Sequence, residues 1–122
     1  MLFDANEWVG TPYSELSCWD LVAAVCTSLC RPVPSFETPE PDQAAKLWIK
    51  VETVEAGDVL LFSAHGVVYH AGIAIDGAYF LHTQMETGAI IELLNDGYWN
   101  ERIEGIYRYG KTGSGGSVLQ SI

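Results

Sequence analysis

An α+β fold is expected for this chain of 122 residues: one amphipathic helix, then an antiparallel sheet of about five strands. Three observations predict it. Apolar residues recur at helical spacing between Cys18 and Leu29. After Gly57 the pattern changes to short, near-continuous apolar runs. Between two of those runs stands Asp76-Gly77, a hairpin signal.

Taken in order, residues 1–17 read as an irregular lead-in with a turn at Gly10-Thr11-Pro12-Tyr13. Ser17 then serves as N-cap, with Asp20 at the third helical position in a capping-box pattern. Cys18, Leu21, Val22, Val25, Cys26 and Leu29 follow the i, i+3, i+4, i+7 rule and make one buried stripe. Pro32 and Pro34 end the helix. Residues 32–41 are a Pro-rich loop, and a short helix is expected from Asp42 to about Lys50. Strands are expected at Asp58–Ser63, Tyr69–Ile75, Ala78–Thr83, Ala89–Leu93 and Ile103–Tyr109. These elements make one domain, residues 1–109. Residues 110–122 form a Gly/Ser-rich tail whose Val118, Leu119 and Ile122 are expected to contact a partner.

Composition excludes several function classes. Hydrophobic residues make up 48% and charged residues 18%, so the chain is not disordered overall. No apolar run approaches the ~18 residues of a membrane helix. The start carries Asp4 and Glu7 and no basic residue, unlike a secretory signal. A net charge of −10, with Lys and Arg scattered singly, argues against nucleic acid and anionic membrane as partners. Three cysteines are too few for a disulfide framework and fit synthesis in a reducing compartment. Their positions, 18, 26 and 30, lack the close pairs of a zinc site, so no metal or cofactor is expected.

The residues that could carry chemistry are few. Cys18 falls at the first helical position, where the helix dipole and unpaired N–H groups favour a thiolate and could receive an oxyanion. Cys26 and Cys30 read as core or bystander thiols. His70 and His82 lie on adjacent hairpin strands. A two-residue turn at Asp76-Gly77 would pair residues whose numbers sum to 153 and send the two imidazoles to opposite faces. Their cooperation therefore requires an odd-numbered loop or a bulge around Ile75–Ala78, and such a loop is expected. His70 would then share a face with Gly72 and Ala74, small enough for the helix carrying Cys18 to approach there. His65 reads as an exposed turn residue and Asp58 as a turn residue. Tyr13 could donate to a thiolate or oxyanion.

These motifs, taken together, resemble a known family. Gly10-Thr11-Pro12-Tyr13, Cys18-Trp19-Asp20-Leu21-Val22, Gly57-Asp58-Val59-Leu60-Leu61-Phe62, His70-Ala71-Gly72-Ile73-Ala74-Ile75 and Phe80-Leu81-His82 are similar, in order and spacing, to the NlpC-type papain-like cysteine peptidases. Trp19 and the ending Arg102–Arg108 resemble the branch that tailed phages encode as tail-assembly or tail-tip proteins. The resemblance implies Cys18 as nucleophile, His70 as base and His82 as its orienting group. It places Tyr13, Ser17 and Trp19 around the oxyanion and substrate. The implied substrate is an amide in the peptide stems of bacterial peptidoglycan. The implied setting is a virion component made in the host cytoplasm, acting on the cell wall beside other tail-tip proteins. Ser17 stands where the family usually has Asp, and Asp20 where it has Gly. An alternative reading is a structural tail protein that keeps the fold with weak or no catalysis.

Overall fold

The apolar stripe folds as expected into helix α1, Cys18–Ser28, with Leu21, Val22, Val25 and Cys26 fully buried. The structure, a computed structural model, describes residues 2–33 and 47–110. The tail 110–122 lies outside them beyond Gly110, as do residues 42–46 of the expected second helix. Trp48 to Lys50, placed at the end of that helix, instead lie in a strand, Trp48–Val51. Four residues of mixed burial fit either period, and pairing with the last strand settles the outcome.

Ser17 is the N-cap of α1, but not in capping-box form. Its hydroxyl donates to the Asp20 carboxylate at 3.0 Å and makes no capping bond to the backbone. At the other end the helix stops before the prolines. The Arg31 N–H donates to the Cys26 carbonyl and the Cys30 N–H to that of Thr27, the paired bonds of a Schellman turn. Cys30 sits at its left-handed position with φ 59°.

Among the described residues the antiparallel sheet, expected to have about five strands, has six: β1 Trp48–Val51, β2 Val59–Ala64, β3 Val67–Ala74, β4 Tyr79–Gln84, β5 Gly88–Leu93 and β6 Ile103–Tyr109. Their spatial order is β1-β6-β2-β3-β4-β5. β2 and β3 join through His65-Gly66, both at positive φ as a two-residue hairpin demands, and His65 is exposed as expected.

Side chains of the two sheet faces build two separate cores. On one face Val59, Ala71, Ile73, Leu81 and Ala89 pack under α1, closed by Phe3 and Ala5 of the lead-in. On the other, Leu60, Phe62, Ala74 and Phe80 pack against Leu94 and Trp99 from the β5–β6 connection. The lead-in is also tied to the sheet: Gly10 N–H donates to the Ala89 carbonyl and Ala89 N–H to that of Thr11.

Asp58 is not a simple turn residue. It is 1% exposed, and Arg108 of β6 grips it through Nε at 3.0 Å and a terminal nitrogen at 2.9 Å. The Glu55 N–H donates to the same carboxylate, and Arg108 also donates to the Thr53 carbonyl. A two-pronged guanidinium pair of this kind fixes the angle at which the chain enters β2. Asp58 raises the Arg108 pKa further above its ordinary value through this bond.

Cys30 holds a backbone conformation that glycine adopts without strain. Cys30→Gly should therefore stabilise the fold by about 1 kcal/mol, read as a rise of a few degrees in Tm. An unchanged or lowered Tm would contradict the left-handed cap.

Candidate active site

The loop between β3 and β4 decides the placement of the two histidines. Ile75 N–H donates to the Tyr79 carbonyl, leaving Asp76, Gly77 and Ala78 as a three-residue loop. The odd-numbered connection expected from the sequence is thus present. Asp76 holds it together by accepting from the N–H groups of Ala78 and Tyr79 at 2.8 and 2.9 Å. Those two bonds lower the Asp76 pKa.

With Ile73 opposite Leu81 and Ala74 opposite Phe80, pairing numbers sum to 154. Gly72 then lies across from His82, and His70 sits diagonally on the same face. Gly72 must be small. A Cβ there would lie 2.8 Å from the Phe80 ring and 3.3 Å from the His82 Cβ. His70 Nε2 meets His82 Nδ1 at 2.8 Å, and His82 Nε2 meets the Glu92 carboxylate at 2.6 Å. Glu92 reaches His82 because Ile90 pairs with His82, placing Glu92 two residues along the same face of β5.

The helix does not lie over this face. The expectation that α1 would approach His70 across Gly72 and Ala74 is corrected: α1 covers Ala71, Ile73 and Leu81 instead. The imidazole face is covered by aromatics. Trp99 stacks on His70 with ring centres 5.1 Å apart and meets His82 edge-on at 4.9 Å. Phe80 stacks on His82 at 4.5 Å.

Cys18 and His70 nonetheless face one cavity. A cavity of about 190 Å³ is lined by Cys18, Trp19, Leu61, Val68, Tyr69, His70 and Ala71. A bulge makes this possible. Phe62 pairs with His70 but Ser63 pairs with Val68, so Tyr69 is an extra residue that turns β3 just before the histidine. β6 carries a second irregularity opposite Leu61 and Phe62. Cys18 itself is partly exposed at the helix start. Tyr13 is elsewhere: it lines a different hollow, with Gly10, Pro12, Ser14 and residues 85–88.

Burial under the aromatic layer governs the electrostatics. It disfavours the charged imidazole, and neighbouring His82 adds to the effect, so the His70 pKa falls to about 4. His82 is also lowered by burial, with Glu92 pulling in the opposite direction. Both rings are therefore neutral near pH 7. Cys26 is the opposite of a reactive thiol: burial pushes it up to about 12. Among the described residues no group of three or more His, Cys, Asp or Glu side chains converges as metal ligands would.

Sequence reasoning named Cys18, Trp19 and His70, which share the cavity, and His82, which bonds to His70. It missed Glu92 and Trp99. Glu92 could have been found by extending the β4–β5 register; Trp99 lies in a connection with no local signal.

Residues 5–108 match the sequence profile of the NlpC/P60 family. A 49-residue stretch is 37% identical to the murein DD-endopeptidase MepS/murein LD-carboxypeptidase of Escherichia coli. That stretch is 40% of this chain and 26% of the relative, so the match spans about a quarter of the relative's length. In fold the chain is similar to an NlpC/P60 family protein from Bacillus cereus (TM-score 0.71, 20% identity, 86% of this chain and 37% of that one). It is also similar to the NlpC/p60 domain of the peptidoglycan hydrolase SagA (TM-score 0.63, 22% identity, 85% and 92%).

The low His70 pKa has a consequence for stability. An unfolded histidine binds its proton near 6.5 and the folded His70 only near 4, so acid favours the unfolded chain between those values. Stability should fall as pH drops through that window, by roughly 3 kcal/mol from this group, and this contribution should level off below it. Tm measured against pH should show the decline, and His70→Gln should lose much of it. An imidazole titration of His70 with its midpoint at the unperturbed value would contradict the buried neutral pair.

Proposed function

The chain belongs to the NlpC/P60 family, and on that premise we propose that it is a thiol-dependent amidase cleaving peptide stems of bacterial peptidoglycan. The cavity shared by Cys18 and His70 is the observation that carries the reading. The names of the relatives, a murein endopeptidase and a peptidoglycan hydrolase, supply the substrate class.

Each step follows from a placed group. Neutral His70 takes the Cys18 proton as general base. The sulfur attacks the amide carbonyl, and charge develops on its oxygen. N–H groups at the start of α1 receive that oxyanion. The Ser17 hydroxyl leaves them free of capping, because it is turned to Asp20. That bond also occupies part of the Asp20 charge, which otherwise opposes a thiolate one turn away. His70 then protonates the leaving amine, and water hydrolyses the acyl-enzyme. His82 holds the His70 ring through its bond to Nε2. Trp19 and the partly exposed Tyr69 wall the cavity where substrate would enter.

The finer placement, as a component of a phage tail tip, rests on Trp19 after the cysteine and on the Arg102–Arg108 ending. It implies tail-tip proteins as partners and a virion as the final location. Mass spectrometry of purified particles should then find the chain among the tail proteins; its absence from them would reject the placement.

The catalytic reading is tested by Cys18→Ala. The variant should release no peptide from purified peptidoglycan, against clear turnover by the parent chain, and it should keep the parent's Tm because Cys18 is not in the sealed core. Turnover surviving in that variant would overturn the assignment.

A further inference from the structure

We propose that Glu92 is a positioning residue that sets the tautomers of both buried imidazoles, so that His70 presents a bare Nδ1 to the Cys18 cavity. The role in catalysis rests on the reading above; the tautomers themselves do not.

The argument is one of proton counting along a chain of hydrogen bonds. A carboxylate has no proton to give, so His82 Nε2 must donate in the 2.6 Å bond to Glu92. A neutral His82 that carries its proton on Nε2 has a bare Nδ1. That nitrogen can only accept in the 2.8 Å bond, so His70 Nε2 must donate. A neutral His70 protonated at Nε2 has its lone pair on Nδ1, the one ring nitrogen not used by the relay. One charged group at the end of the chain thus dictates the state of a ring two bonds away.

Burial makes this dictation effective. His82 is fully buried and Phe80 and Trp99 cover it, so no water competes for its nitrogens. The Glu92 side chain, 30% exposed, is the end of the chain that faces solvent. When His70 takes the thiol proton, the S–H bond breaks and an Nδ1–H bond forms. The resulting imidazolium donates through Nε2 to His82, and the Glu92 charge lies at the far end of the same line. No proton needs to leave the relay.

The test uses the full chain with 15N-labelled histidine. Long-range proton–nitrogen spectra of the parent near pH 7 should show both His70 and His82 protonated on Nε2 and bare on Nδ1. In Glu92→Gln the amide can donate as well as accept, so the single tautomer at both rings should be lost. Alkylation at Cys18 by iodoacetamide, followed by site-resolved mass spectrometry, should slow roughly tenfold or more, as when an orienting carboxylate is neutralised. A parent His70 protonated on Nδ1 overturns the proposal without any variant. So does a Glu92→Gln protein with unchanged tautomers and an unchanged Cys18 rate. Expected tautomers in a chain that fails to cleave peptidoglycan support this proposal and overturn the substrate reading alone.

Discussion

The count of residues between β3 and β4 is the constraint on which this site depends. Three residues, held by the Asp76 carboxylate, make the pairing sum even and bring His70 and His82 to one face. A count of two would have separated them across the sheet, because side chains alternate along each strand. The bulge at Tyr69 and the absent side chain at Gly72 then complete the work that the loop begins. One turns the strand end towards Cys18, and the other lets the rings meet.

The polar chain from His70 to Glu92 is buried beneath aromatic rings, and this fixes its chemistry. An unpaired imidazole there would be costly. Each ring nitrogen of His82 has a partner, so desolvation lowers the pKa values without leaving orphan groups. Trp99 contributes most of the cover, touching both imidazoles as well as Phe62 and Phe80. The connection between β5 and β6, where Trp99 caps the short 3-10 helix Asn100–Arg102, thereby sets the dielectric of the site.

Much of this was legible beforehand. The stripe from Cys18 to Leu29 specified the helix and its buried face, since period 3.6 leaves little choice. The last strand, Ile103–Tyr109, falls where its alternation puts it, and the others lie within two residues of expectation. Parity arguments on the hairpin correctly required the odd loop. What stayed hidden depends on distant chain. Trp48–Val51 becomes a strand because β6 offers an edge. Asp58 is buried because Arg108, fifty positions away, is there to grip it. Both faces of the sheet are apolar: α1 covers the one with Ala71, Ile73 and Leu81, and Leu94 and Trp99 cover the one with the histidines, a division that depends on contacts between distant parts of the chain.

That choice of face divides the molecule. The helix that carries Cys18 packs on one face of the sheet, the two imidazoles stand on the other, and the cavity lined by Cys18 and His70 is where the two sides meet. Substitutions beneath α1 can therefore accumulate without disturbing the rings, and changes among the aromatics can proceed without loosening the helix. The two halves of the chemistry are free to diverge at different rates, provided the few residues around the cavity keep their places.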